Sequence, residues 1–189
     1  MDFFALLIDA ILVGFGVYSL IYLLLPKKKR TTALLQFDQV ACLVFAIGGT
    51  LGILQFVYGL NETIAGEDGE ELFQLTNRMF GPYWFAYWGM MLSYYGISQP
   101  YWFKKVRSIK WVRVITVILT IFSMERLTIL ITSFHRDYLP SSYTHGFWGE
   151  LWHEAIFHSL IKWMHDLVVF VIITMISFGI TRLIRRKHA

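Results

Sequence analysis

Cysteine is almost absent from this chain, since Cys42 is the only one among 189 residues. A single cysteine excludes an intrachain disulfide. It also excludes a self-contained cysteine-ligated iron–sulfur cluster and a covalently attached c-type haem. Any redox centre of these kinds must therefore be supplied by a partner protein.

Charged residues are also scarce, at 16% of the chain, whereas 56% of the residues are hydrophobic and 17% are aromatic. Soluble domains of this length carry more charge and less apolar surface. The composition therefore predicts a single integral membrane domain over residues 1–189. The net charge of +4 does not indicate nucleic-acid binding, because the basic residues cluster in short loops beside apolar runs.

Five apolar runs are long enough to cross a lipid bilayer, so the predicted fold is an all-α bundle of five transmembrane helices. The runs cover about residues 3–25, 39–60, 80–103, 111–134 and 157–181. Basic residues follow the first, third and fifth runs. Because such residues stay in the cytoplasm, we expect the N-terminus outside and the C-terminus inside.

Two carboxylates and a glycine pair stand out in the first half of the chain. Asp9, two turns inside the first run, is interpreted as an interfacial carboxylate reached by water. Asp38 precedes the second run and is expected to cap the start of that helix. Gly48 and Gly52 form a G-x-x-x-G pair, which favours close helix packing.

The fourth run is unusual because Glu125 and Arg126 lie side by side within it. Charges at membrane depth are costly and usually functional. Adjacent residues of a helix point about 100° apart, so each charge is expected to meet a partner on another helix. Two interpretations stay open: a structural ion pair between helices, or a proton-relay carboxylate beside a cation.

Polar residues recur at spacings of three and four along this run, which places them on shared helix faces. The outer line contains Glu125, Thr128, Thr132 and His135, and the inner line contains Thr116, Thr120 and Ser123. Our hypothesis for chemistry in this chain is a proton path from Asp38 through Glu125 to His135.

The outer end of the fourth run carries His135, Arg136 and Asp137. Histidine titrates near neutral pH, which suits a proton exit. One interpretation is a solvated helix end that docks against a partner through Arg136 and Asp137. The alternative is a proton exit or a head-group contact near a redox partner.

Aromatic residues crowd the third run, and Trp84, Tyr87 and Trp88 are the central ones. An aromatic belt at the membrane interface explains them, and a stacking surface for a quinone ring is the alternative. His165 joins them as a quinone-site candidate. No metal site is predicted, because no H-E-x-x-H or comparable motif is present. A b-type haem is not expected either, because no deep pair of facing histidines is evident.

Several strings in the chain resemble the membrane subunits of the NrfD/polysulfide-reductase family. They are SMERLTILITSFHRDYLPSSY at residues 123–143, GPYWFAYW at 81–88 and QPYWFKKVR at 99–107. The likeness is greatest to the C-terminal half of the ActC and ActF subunits of alternative complex III, and it covers about residues 36–143.

The resemblance implies quinone-linked respiration in a bacterial inner membrane. The chain would be a subunit that is not catalytic alone and that contributes a polar bundle for proton transfer and for docking of redox partners. Expected partners are the lipid bilayer, other membrane subunits, among them one supplying an N-terminal NrfD-like bundle, and an iron–sulfur or cytochrome subunit. Quinone is the expected non-covalent cofactor. The alternative is a non-catalytic membrane scaffold or assembly protein that retains the family packing.

Overall fold

The computed structural model describes residues 3–66, 69–82, 84–121 and 147–187. Within these ranges every regular element is helical and no strand is present, which confirms the predicted all-α fold for this part of the chain. The α-helices are α1 (Phe3–Leu24), α2 (Thr32–Ala65), α3 (Gly69–Phe80), α4 (Trp84–Tyr94), α5 (Lys104–Arg107), α6 (Lys110–Ile121) and α7 (Phe147–Lys187). Short 3₁₀ helices cover Lys27–Lys29 and Gly96–Trp102.

Among the described residues, three helices are long and apolar enough to cross a membrane. They are α1 with 22 residues, α2 with 34 residues and the part of α7 at His158–Ile184 with 27 residues. A helix rises 1.5 Å per residue, so about 20 residues match the hydrocarbon core of a bilayer. The apolar runs that sequence predicts at 3–25, 39–60 and 157–181 correspond to these three helices.

The third apolar run does not form one continuous helix. It contains α4, followed by the 3₁₀ segment Gly96–Trp102. Pro100 lies inside that segment; proline has no N–H to donate, and its ring would clash with the carbonyl four residues earlier in an α-helix. The Ser98 hydroxyl also donates to the Tyr95 carbonyl oxygen at 2.6 Å. The chain therefore changes from α to 3₁₀ geometry at this point.

Helix α1 is the centre of the bundle, with α2, α6 and α7 packed against it. Phe15 of α1 is fully buried, and its ring stacks on Phe45 of α2 with centroids 4.0 Å apart. Tyr101 and Phe170 meet the same ring edge-on at 5.2 and 5.8 Å. Offset and edge-to-face aromatic contacts add to the free energy of burying the rings. These four side chains form the aromatic core.

Glycines allow the helices of this bundle to approach closely. A Cβ atom on Gly48 would lie 2.5 Å from Ile11 of α1, and one on Gly52 would lie 2.3 Å from the Tyr95 ring. The close packing predicted for this G-x-x-x-G pair is therefore confirmed. Gly14 of α1 allows a similarly close approach of α7, because a Cβ atom added to Gly14 would lie 2.3 Å from the backbone oxygen of Asp166.

Asp38 does not cap α2, contrary to the sequence prediction. The helix begins at Thr32, and the cap is Thr31, whose side chain accepts a hydrogen bond from the Leu34 amide at 3.3 Å. A threonine hydroxyl before the first helical residue satisfies one of the free amide groups at the helix start. Asp38 therefore lies in the second turn, where its side chain is free to bind elsewhere.

Candidate functional site

Asp38 and Arg113 form a buried ion pair between α2 and α6. Arg113 Nη1 lies 2.8 Å from one carboxylate oxygen of Asp38, and Nη2 lies 3.0 Å from the other. Arg113 is 3% exposed. This two-pronged geometry matches the planar guanidinium to the carboxylate and makes the pair both strong and directional.

Neighbouring side chains make further contacts with both members of this ion pair. Tyr18 of α1 donates its hydroxyl to Asp38 Oδ1 at 3.1 Å. Arg113 Nη2 also lies 3.2 Å from Cys42 Sγ. The guanidinium carbon of Arg113 stands over the Tyr22 ring, 4.4 Å from its centroid. Because burying charge away from water is favourable only with such partners, α1, α2 and α6 are held in one arrangement by this site.

A short polar line continues from Arg113 along α6. Thr116 is fully buried, and its Oγ1 lies 2.9 Å from the Tyr101 hydroxyl. Thr120, one turn further, is 1% exposed and donates to the Thr116 carbonyl oxygen at 2.7 Å. Two members of the predicted inner line therefore lie in the bundle interior, and Ser123 lies outside the described residues.

A second charged cluster lies at the other end of α1. Asp9 accepts hydrogen bonds from Tyr94 and from Lys162 of α7. Lys162 Nζ also lies 3.5 Å from Asp166 Oδ2. Asp9, interpreted from the sequence as an interfacial carboxylate reached by water, therefore also joins α1, α4 and α7. We call Asp9, Tyr94, Lys162, His165 and Asp166 the α7 cluster.

Asp166 is the most buried charge of the α7 cluster. Its side chain is 5% exposed, whereas the side chain of the adjacent His165 is 70% exposed. His165 Nδ1 lies 3.2 Å from Asp166 Oδ1. Asp166 Oδ2 has no hydrogen-bond partner among the described residues. Asp166 is thus a buried carboxylate in contact with both an exposed imidazole and the Lys162 ammonium.

The aromatic core separates the two charged sites. Along α1, Phe15 lies between Asp9 and Tyr18, and Phe170 of α7 packs against both Phe15 and Tyr18. The four rings of the aromatic core are fully buried. The Tyr101 hydroxyl is the polar group among them, and it is hydrogen-bonded to Thr116. The aromatic core therefore lies between the Asp38–Arg113 pair and the α7 cluster.

The aromatic candidates for a quinone site lie on α4. Trp84 is exposed, Tyr87 packs against Phe56 of α2 at 6.0 Å, and Trp88 donates its indole N–H to the Met79 carbonyl oxygen at 3.1 Å. His165 is on α7, and no ring contact joins it to these three among the described residues. Within the same part of the chain, no group of three or more His, Cys, Asp or Glu side chains is arranged to hold a metal ion.

Most of the predicted proton path lies outside the described residues. This applies to Glu125, Arg126 and His135, and also to the docking candidates Arg136 and Asp137. Asp38 is described, and it is bound to Arg113.

Sequence reasoning missed Arg113, Tyr18 and Lys162 as partners of the carboxylates. A usable signal existed for Arg113, because it is a cation inside the fourth apolar run and faces the same side as Thr116. Nothing in the sequence indicated which carboxylate would pair with Arg113.

Comparison with known protein families found no match for this chain, and comparison with curated proteins also found none. The class of the protein therefore follows from its own structure. Long apolar helices and charges buried between them are features of helical membrane proteins.

Proposed function

We propose that this chain is an integral membrane subunit of a quinone-linked respiratory oxidoreductase of the alternative complex III type. It contributes a polar bundle for proton transfer and a docking surface for redox partners, and it is not catalytic alone. The strings that resemble NrfD-like subunits support this proposal, as do charges buried between apolar helices.

The proposed topology has five membrane crossings, with the N-terminus outside and the C-terminus in the cytoplasm of a bacterium. In addition to the three long apolar helices, α4 with its 3₁₀ extension and the fourth apolar run, about residues 111–134, would supply the other two crossings. The lysines and arginines around 27–30, 104–113 and 182–187 support a cytoplasmic position for their end of the bundle. The acidic residues of α3 suit the opposite side.

The buried Asp166 carboxylate carries the proton-transfer part of the proposal. Asp166 is buried in an apolar helix, yet it contacts the exposed His165 and the cation Lys162. Asp166 Oδ2 lies 3.5 Å from the Lys162 ammonium and makes no hydrogen bond among the described residues, whereas Arg113 is hydrogen-bonded to both oxygens of Asp38. The α7 cluster therefore serves as an outer exit for protons, next to the exit proposed at His135.

The test is the variant Asp166→Asn in the complex purified from its native membrane and reconstituted in vesicles. Asparagine keeps the size of the side chain but cannot carry a proton. We expect a lower ratio of protons released to electrons transferred, because the exit group is lost. Glu62→Gln is the matched control, because Glu62 is an exposed carboxylate bound to Tyr58. An unchanged ratio in Asp166→Asn would exclude Asp166 as a proton-transfer group.

A quinone is the proposed cofactor, with Trp84, Tyr87, Trp88 and His165 as candidate contacts. Exposed aromatic rings on α4, including Trp84 and Phe85, suit a site completed by a neighbouring subunit. A photoreactive quinone analogue should label this segment in the assembled complex. Labelling confined to other subunits would remove the quinone site from this chain.

A scaffold or assembly role is the second candidate, and the Asp38–Arg113 pair favours it. Both oxygens of Asp38 are hydrogen-bonded to Arg113, and Tyr18 also donates to Asp38, as expected of a structural contact that joins helices. Purification in mild detergent separates the two roles. Recovery with an iron–sulfur or cytochrome subunit and with a chain supplying the NrfD-like N-terminal bundle supports the respiratory role. Recovery as a self-associated bundle without redox partners supports the scaffold.

A further inference from the structure

A cavity of about 350 Å³ opens beside the Asp38–Arg113 pair, between α1, α2 and the segment that leads into α6. Its volume falls within the range of small-molecule sites, about 300–1,000 Å³. The cationic side chains that line it are Arg30, Lys104, Arg107, Lys110 and Arg113. Asp38 is the only acidic residue in the described lining. We call this cavity the basic pocket.

The described residues do not balance the charge of the basic pocket. Both oxygens of Asp38 already bind Arg113. Lys104 and Lys110 make no ion pair within the part of the chain that the structure describes. A concave site lined by one sign of charge concentrates the field and attracts an ion of the opposite sign.

Two arginines of the pocket are held in place by backbone oxygens. Arg107 Nε donates to the Tyr101 carbonyl oxygen at 2.7 Å. Arg30 Nη2 donates to the Tyr22 and Leu25 carbonyl oxygens at 3.0 and 3.1 Å. Arg30 Nε, however, is buried without an acceptor among the described residues. The guanidinium groups are thus positioned before any ligand arrives, and one buried donor lacks a partner.

We propose that the basic pocket binds a phosphate group, and that an anionic phospholipid is the source its lining favours. Phosphate oxygens suit clustered guanidinium and ammonium groups. Leu23, Leu35 and Ile109 line the same cavity, and the exposed Trp111 follows directly after Lys110. These apolar groups offer a surface to acyl chains, and tryptophan is typical of the head-group level. Basic pockets between membrane helices commonly hold anionic lipid head groups.

The first experiment measures ligand binding to the full chain, purified in mild detergent and stripped of lipid. Native mass spectrometry compares phosphatidylglycerol, which is anionic, with phosphatidylcholine, which is neutral overall. We expect one phosphatidylglycerol to be retained under conditions that release phosphatidylcholine. Inorganic phosphate is added separately, with thermal unfolding as the readout, because a bound ligand raises the unfolding temperature.

The two sources of phosphate give different results. Retention of phosphatidylglycerol, with competition by inorganic phosphate at higher concentration, supports the lipid. Stabilisation by inorganic phosphate without selective lipid retention supports a soluble phosphate ligand at the same site. If neither binds, the proposal is overturned.

The second experiment locates the site. The double variant Lys104→Gln with Lys110→Gln removes two charges of the pocket. We expect its affinity for phosphatidylglycerol to fall about 30-fold, because each basic residue near an anionic lipid contributes about a five-fold gain. Lys28→Gln with Lys29→Gln is the matched control, since it removes two exposed charges at the same end of the bundle from residues that do not line the pocket. Equal losses in both variants would overturn the proposal, because binding would then reflect the net surface charge.

Folding of the variants is checked by helical circular dichroism. If the double variant does not fold, Lys104→Gln alone is compared with Lys28→Gln alone. We then expect about a five-fold loss only for Lys104→Gln. The ligand experiments on the unmodified chain do not depend on any variant.

Discussion

Arg113 holds both carboxylate oxygens of Asp38, at 2.8 and 3.0 Å, across 75 positions of the sequence. The pair joins the second turn of α2 to the first turn of α6, and Tyr18 brings α1 to the same point. It lies between the aromatic core and the basic pocket. The arrangement of these three helices therefore depends on one buried interaction.

Asp38→Asn should destabilise the protein strongly. The amide cannot compensate the buried guanidinium of Arg113, and leaving such a charge unpaired costs about 3–5 kcal/mol. The free energy of unfolding is measured by circular dichroism during titration with a denaturing detergent. Replacing both partners, as Asp38→Leu with Arg113→Met, should recover much of the loss because no unpaired charge remains. A double variant as unstable as the single one would show that the pair stabilises the fold beyond charge compensation.

Tyr18→Phe removes one hydrogen bond and no packing volume. Because the acceptor is the buried Asp38 carboxylate, we expect a loss of about 1.5–3 kcal/mol in the same unfolding assay. The matched control is Tyr58→Phe, which removes the exposed hydrogen bond to Glu62. Similar stabilities for both variants would argue against a contribution of the Tyr18 hydroxyl to the buried pair.

Gly14→Ala should push α1 and α7 apart. The new Cβ would lie 2.3 Å from the Asp166 backbone oxygen, and backbone cannot rotate away as a side chain can. Overpacking of this kind costs about 1–3 kcal/mol. Gly59→Ala is the control, because nothing lies within 4 Å of its added Cβ and alanine favours the helix. A neutral Gly14→Ala would contradict the close contact between α1 and α7.

Phe15→Ala should remove the centre of the aromatic core. Phe15 is fully buried and contacts Phe45, Tyr101 and Phe170. Truncating a buried phenylalanine costs about 3–5 kcal/mol. Phe73→Ala on α3, where the ring is 71% exposed, should change stability far less. Equal effects of the two substitutions would mean that the core is not organised around Phe15.

Much of the helical framework could be predicted from the sequence. The apolar runs at 3–25, 39–60 and 157–181 indicated the three long helices, because the length of an apolar run is a local property. The helix ends were less accurate. Thr31 caps α2 ahead of the predicted start, and Pro100 lies in a 3₁₀ turn within the third run.

The candidate sites were predicted only in part. The sequence drew attention to Asp38 but expected it to cap α2, whereas Thr31 is the cap and Asp38 binds Arg113. The quinone role of His165 stays a prediction. It gave no partner for Asp9. Periodicity tells which residues share a face of one helix, but it does not tell which faces of different helices meet.

The sequence by itself determined that this protein is helical and apolar and that its basic residues gather beside certain helix ends, since these are properties of short segments. Only the tertiary structure decided that α1 is the central helix, that Arg113 meets Asp38, and that Lys162 lies between Asp9 and Asp166. The physical reason is that a buried charge requires a partner. Which distant residue lies close enough to be that partner depends on how the glycines and aromatic rings of different helices pack together.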